Sequence, residues 1–357
     1  MTASFRPLPF LSEARAEQAA GPRLRALRQA AQRAREAFTS EGAATALATC
    51  DLVSFPYPTV FAFSGAARSP APYVMVRHRM QVVRFQQEGT ERVLLFNPSD
   101  YERGHEAPFF KALREKYGTF VTTQVMTRRH GTVQAHLEAL GLTPEDVDYL
   151  AFDHLKAQDV RRWLGGDGQP AYFPRARLLV QRAEWDAVRC PHPLERVWYV
   201  PEGTGGVPPE RVELLSGDTW LGQGVALLST PGHSPGNMSL AVATADEVFV
   251  MSENGVATES YTPLQSTIPG VRTFAEQMGW EVVLNGNTRE NSLEQYSSMI
   301  VEKVFAGRAR ADGGFVNVHP SSLLTRAVMA PGLAPTLTLP PPTSGAFTPA
   351  AASRHAA

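Results

Sequence analysis

From Pro72 to Asn97 the chain reads YVMVRHRMQVVRF, then QQEGTE, then RVLLF. Two β-branched, apolar runs around a glycine-containing turn predict a hairpin of two strands. Upstream, Leu11 to Phe38 is rich in Ala, Arg and Glu, and its apolar spacing rests on Leu24, Leu27 and the alanines around them. That spacing predicts helix, interrupted near Gly21-Pro22. After the hairpin come helical stretches near Pro108–Tyr117 and Val133–Leu140 and a helix start at Thr143-Pro144. A short apolar strand, Tyr149–Phe152, then runs into His154. A polar cluster thus follows the C-terminal end of a strand, where α/β folds place ligands.

The second half repeats the theme with ARLLVQ, VELLSGDTWLGQGVALLST, SLAVATADEVFVMSEN and EVVLNGN, so strands predominate with helices on the flanks. The pattern divides the chain into an N-terminal helical extension over 1–50, a main domain over 51–327 and a Pro/Ala/Ser/Thr-rich tail over 328–357, disordered or draped.

Composition narrows the function classes. A chain of 357 residues, 43% hydrophobic and 19% charged, can bury the core of one large α/β domain. Its net charge of −1 creates no broad field for nucleic acid or an anionic membrane, so neither is an expected partner. Cys50 and Cys190 are the only cysteines and read as two isolated thiols. The first residues form no apolar signal region, and no stretch approaches the roughly 18 apolar residues of a bilayer span, which predicts a cytoplasmic protein. Nothing fixes an oligomeric state, and a homodimer is compatible with the chain. His78, His105, His130, His136, His192 and His319 read as structural histidines.

In STPGHSPGNMSL, Ser229 to Leu240, a strand ends, one Pro-Gly turn presents His233, and a second returns the chain to a strand. This resembles the third metal-ligand motif of the metallo-β-lactamase superfamily, and GDTWLGQGVALL resembles the family's lead-in to it. LTPEDVDYLAFDHLKAQD looks like the segment carrying the first motif, T-H-x-H-x-D-H, and FPRARLLVQRAEWD is similar to the strand and helix start that follow in the lactonase-like branch. The resemblance covers roughly Tyr73 to Ala306. It implies an αββα sandwich, two mixed sheets flanked by helices, with a small-molecule site at one edge.

The family's chemistry uses imidazoles and carboxylates to hold one or two metal ions, which acidify a bound water and polarise a carbonyl. Carried over position by position, His154 matches the first histidine and His233 the third-motif histidine. Lys156 stands at the second histidine, Gln158 at the aspartate, Asp159 at the closing histidine, Glu253 at the bridging aspartate and Asn287 at the last histidine. Asn97 occupies the usual Asp-Thr-Gly turn. The set is degenerate, because an ammonium offers donors and no lone pair.

Three readings stay open. In the first, His154, His233 and Glu253 hold one zinc ion whose hydroxide attacks an ester or lactone, with Asp159 as general base and Lys156 facing the developing oxyanion. The same two-histidine, one-carboxylate set suits a mononuclear non-haem iron enzyme. In the second, no ion is bound and Lys156 takes its place, in an inactive relative that binds a small molecule, a regulatory module, or a pocket doing metal-free acid/base chemistry. In the third, these polar residues only satisfy one another. Gln158, Asn287 and Asn97 are expected in the pocket in each case.

Overall fold

The computed structural model describes residues 5–286 and 291–347. Two mixed sheets face each other. The larger runs Arg128–Arg129, Ala46–Pro58, Tyr73–Gln87, Thr90–Phe96, Tyr149–Ala151, Arg177–Gln181 and Val212–Leu215, and Ser322–Thr325 also pairs with Tyr73–Gln87. The smaller runs Arg6–Pro7, Thr219–Gly222, Val225–Ser229, Met238–Ala243, Val248–Ser252 and Val318–Pro320. Residues Tyr73–Gln87 and Thr90–Phe96 form the expected antiparallel hairpin, with Gln87 opposite Thr90.

Side chains of a strand alternate between faces, and a strand covered on both sides must be apolar on both. In Thr90–Phe96, Leu94 and Phe96 join Val225, Leu227, Leu240 and Met251 of the opposite sheet in the inter-sheet core. Val93 and Leu95 instead face Val133, Leu137 and Trp163 of the helical layer. The smaller sheet turns Ala226 and Leu228 outward onto Phe38 and Ile300 of its own helical layer. The result is the αββα sandwich expected from the sequence. Among the described residues no helix is long and apolar enough to cross a membrane.

The extension forms part of this outer layer. Helix Ala20–Ser40 buries Leu27, Ala30, Ala31, Ala34 and Phe38, a stripe at three- and four-residue spacing. Its interruption falls at residues 17–19, ahead of Gly21-Pro22, which sit in the helix's first turn. Proline is tolerated there because that N–H has no intrahelical acceptor. The sheet begins earlier than residue 51, with strand Ala46–Pro58 paired from Ala46–Arg84 to Pro58–Tyr73. Its two prolines disguise it in the sequence; on its other edge Val53 and Ser54 pair with Arg128–Arg129 and Leu47 pairs with Ser344, so Pro56 and Pro58 interrupt no ladder there. The described part of the tail is draped along this strand. Leu47 and Ser344 exchange both backbone hydrogen bonds, and the Arg84 guanidinium covers the Phe347 ring. Both cysteines are free thiols.

Candidate functional site

One cavity of about 110 Å³ opens where several strands of the two sheets end. Its polar floor includes His78, Ser99, His154, Lys156, Gln158, His233, Glu253 and Ser322. Its outer walls are apolar and aromatic, with Phe55, Tyr101, Phe109, Phe110, Trp198 and Val256. Phe109 leans on Trp198 with ring centroids 4.6 Å apart, and Phe110 meets Phe55 edge-on at 5.9 Å.

Two buried carboxylates fix the loops that carry the motif residues. Glu184 accepts from the backbone N–H of Leu155 (2.7 Å) with one oxygen, and from the Ser234 hydroxyl (2.5 Å) and Gly236 N–H (3.3 Å) with the other. It therefore ties the His154 loop to the His233 loop. Gly236 is required by this contact, since a Cβ there would lie 2.1 Å from the Glu184 backbone nitrogen. Gly232 is pressed against Gln295 in the same way. Behind them, Glu302 accepts from Ser239, Ser252, Asn254 and Tyr261. Asn254 in turn accepts the His233 N–H at 3.1 Å.

Within this frame the His154 and His233 rings stack, centroids 4.6 Å apart and 18° from parallel. His154 Nδ1 accepts the backbone N–H of Lys156 at 3.2 Å. That bond assigns the ring proton of the neutral imidazole to Nε2. Burial lowers the His154 pKa to about 4 and pushes that of His233 well below the usual range. Lys156 is 4% exposed; its ammonium donates to the His233 carbonyl at 2.5 Å and pairs with Glu195 at 3.5 Å. Burial, reinforced by Asp153, pushes the Glu253 carboxyl well above its ordinary range, against bonds from Ser322 and the charge of Arg79.

The remaining expected residues divide. Gln158 lines the cavity and donates to the Ser99 hydroxyl at 2.8 Å. Asn97 lies behind the floor in a left-handed turn (φ 60°), donates to Asp153 at 2.9 Å and accepts the Asp153 N–H at 3.0 Å. Asp159, expected as a general base, is absent from the cavity lining; Arg161 holds it through both carboxylate oxygens, at 3.0 and 2.6 Å, and Arg103 adds a third contact at 3.3 Å. Asn287 lies outside the described residues. Among the described residues, no group of three or more His, Cys, Asp or Glu is placed to hold a metal ion.

The structure adds residues that sequence reading passed over. His78, read as structural, is on the cavity wall, with Nε2 2.8 Å from the Ser99 hydroxyl and Nδ1 3.1 Å from that of Ser322. A signal for it exists: His78 falls in phase with buried Val74, Val76, Met80 and Val82 on one strand, where a solitary polar residue is conspicuous. Tyr57, whose hydroxyl donates to Asn285 at 2.6 Å, and the Glu195 partner of Lys156 had no local motif to announce them.

No protein-family model matches the sequence. Over 136 residues it is 31% identical to an N-acyl homoserine lactonase of Bacillus cereus and 33% identical to N-acyl homoserine lactonase AiiA of Bacillus thuringiensis subsp. kurstaki, covering 38% of this chain and 49% of each relative. It is 29% identical over 187 residues to N-acyl homoserine lactonase AttM of Azorhizobium caulinodans, covering 44% of this chain and 65% of that one. The matched part thus spans about half the length of the first two relatives. Solved structures similar in shape include a quorum-quenching N-acyl homoserine lactone lactonase (TM-score 0.45, 17% identity, 67% of this chain and 89% of that one). Another is an N-acyl homoserine lactone hydrolase with N-hexanoyl-L-homoserine bound at its metal centre (TM-score 0.45, 20% identity, 66% and 90%). Over the matched segment the chain is similar to N-acyl homoserine lactonases, and its two facing sheets with outer helices form the αββα sandwich that the sequence resemblance implies.

Proposed function

We propose that this chain is a lactonase-like protein whose cavity takes a small ester or lactone with an apolar chain, and that it does so without a metal ion at the centre. The observation that carries the reading is Lys156, a buried ammonium bonded to the His233 carbonyl and paired with Glu195 at the position where the family resemblance calls for an imidazole ligand. A fixed positive charge on the floor substitutes for part of the charge of an ion, and it cannot itself ligate one.

The donor set around it does not fit zinc or iron. His154 offers Nδ1 to a backbone N–H, which leaves the proton on Nε2, so neither ring nitrogen presents a lone pair in this tautomer. Asp159 is turned away onto two arginines, and among the described residues no three His, Cys, Asp or Glu side chains converge on one point. The aromatic walls supply the apolar surface that an acyl chain would cover, and the floor supplies polar groups for the carbonyl end, the usual division of a small-molecule site. The lactonase relatives supply the ligand class by name alone.

Calorimetric titration of an N-acyl homoserine lactone into protein kept in chelator tests this. Binding that survives chelation and is lost in Trp198→Ala is the expected result. Binding that appears only after zinc or ferrous iron is added would restore the one-ion reading through His154, His233 and Glu253.

A further inference from the structure

The cavity contains a second constellation, assembled from residues that no motif joins. Strand Thr90–Phe96 ends, Asn97 turns the chain sharply, and Ser99 follows, half-buried, on the cavity wall. Its hydroxyl oxygen lies 2.8 Å from His78 Nε2 and 2.8 Å from Gln158 Nε2. His78 Nδ1 lies 3.1 Å from the Ser322 hydroxyl, and Glu253 lines the same part of the cavity as Ser322. One direction of donation satisfies every link. The Gln158 amide donates to Ser99, the Ser99 hydroxyl to His78 Nε2, and His78 Nδ1–H to Ser322.

This is the arrangement that nucleophilic catalysis needs: a hydroxyl within hydrogen-bond reach of a base, and the base oriented by a third group through its other nitrogen. We infer that Ser99 is a nucleophile activated by His78, giving the cavity a metal-independent acyl-transfer activity toward esters or lactones.

The steps balance with water as the only co-reactant. Ser99 Oγ attacks the carbonyl carbon as its proton passes to His78 Nε2. The tetrahedral intermediate collapses, the acyl carbon–oxygen bond of the ester breaks, and the leaving alkoxide takes the proton from His78. Water, deprotonated by His78, then attacks the acyl-Ser99 carbonyl; the acid departs and Ser99 regains its proton. The Gln158 amide donates to Ser99 Oγ at 2.8 Å, and the Lys156 ammonium lines the same cavity. Burial keeps His78 in the neutral, proton-accepting form at neutral pH. Ser322 is a positioning residue.

This proposal rests on the reading that the cavity binds an ester or lactone without an ion, and the test separates the two. A fluorophosphonate forms a phosphorus–oxygen bond to an activated serine, expelling fluoride while the base takes the proton. Incubated with the full-length protein in chelator and analysed by intact mass and peptide mapping, it is expected to leave one adduct on the peptide containing Ser99. The adduct should be absent in Ser99→Ala and form at least about 100-fold more slowly in His78→Gln, the scale of general-base assistance. An unlabelled wild type, an adduct on another residue, or His78→Gln labelled at the wild-type rate would overturn the proposal. The mapped wild-type adduct gives the answer even where a variant does not fold. Calorimetry with an N-acyl lactone on Ser99→Ala reads binding separately: lactone binding without a wild-type adduct sinks the nucleophile alone, and an adduct without lactone binding supports the nucleophile and sinks the ligand class.

Discussion

The cavity has two unlike walls. On one, His154, Lys156 and His233 sit on loops held by Glu184, which accepts backbone N–H groups from both, by Glu302, which holds the Asn254 amide behind them, and by glycines that allow near-contact between segments. On the other, His78, Ser99, Gln158 and Ser322 are joined side chain to side chain, by hydroxyl, imidazole and amide bonds. The first wall is fixed by the fold and stabilises it. The second is a set of polar side chains, two on strands (His78 and Ser322) and two on loops (Ser99 and Gln158). Substitutions should therefore separate: on the first wall they cost stability, on the second they cost reactivity.

The largest effect is expected from Lys156→Met. It leaves Glu195, 6% exposed, as a buried carboxylate without its cation, and breaking such a pair costs about 3–5 kcal/mol. Urea unfolding should show that loss, and Lys156→Met combined with Glu195→Leu should recover most of it; an unchanged midpoint in the single variant would mean that this wall does not stabilise the fold. Next, Gly236→Ala drives a Cβ into the Glu184 backbone and should destabilise by about 1–3 kcal/mol, the cost of overpacking. Ser322→Ala, on the opposite wall, removes the hydrogen bond to His78 and should cost only about 1 kcal/mol, while slowing labelling of Ser99. If it unfolds the protein instead, the contrast between the walls fails.

The smallest effect concerns acid. Burial, with Arg114 and Arg129, lowers the His105 pKa to about 4. Between its unfolded value near 6.5 and that value the unfolded chain binds a proton that the folded chain does not, so its contribution is complete above about pH 6.5 and is lost as pH falls toward about 4. Thermal unfolding across that window should be less pH-dependent in His105→Phe than in the wild type.

The same contrast explains what the sequence discloses. The sandwich is legible because alternation along Tyr73–Gln87 and Thr90–Phe96 is a local pattern, and His154 and His233 are legible because each sits in a short motif beside a strand end. Strand Ala46–Pro58 is obscured by prolines that only its sparsely paired edge tolerates. Asp159 reads as a site residue by motif position, yet Arg161, two residues on, turns it away, a side-chain choice that spacing does not encode. Gln158 is legible by motif position, whereas His78, Ser99 and Ser322 stand far apart in the chain and meet through sheet register, Ser322 opposite His78 and Gln81 opposite Phe96. No local reading brings such residues together.

The central claim, that this lactonase-like cavity works without an ion, is tested most directly by metal analysis of unchelated protein, as purified and after exposure to zinc and to ferrous iron. Substoichiometric metal under all three conditions, unchanged in His233→Ala, is the predicted result. One equivalent per chain in the wild type, lost in His233→Ala, would contradict it.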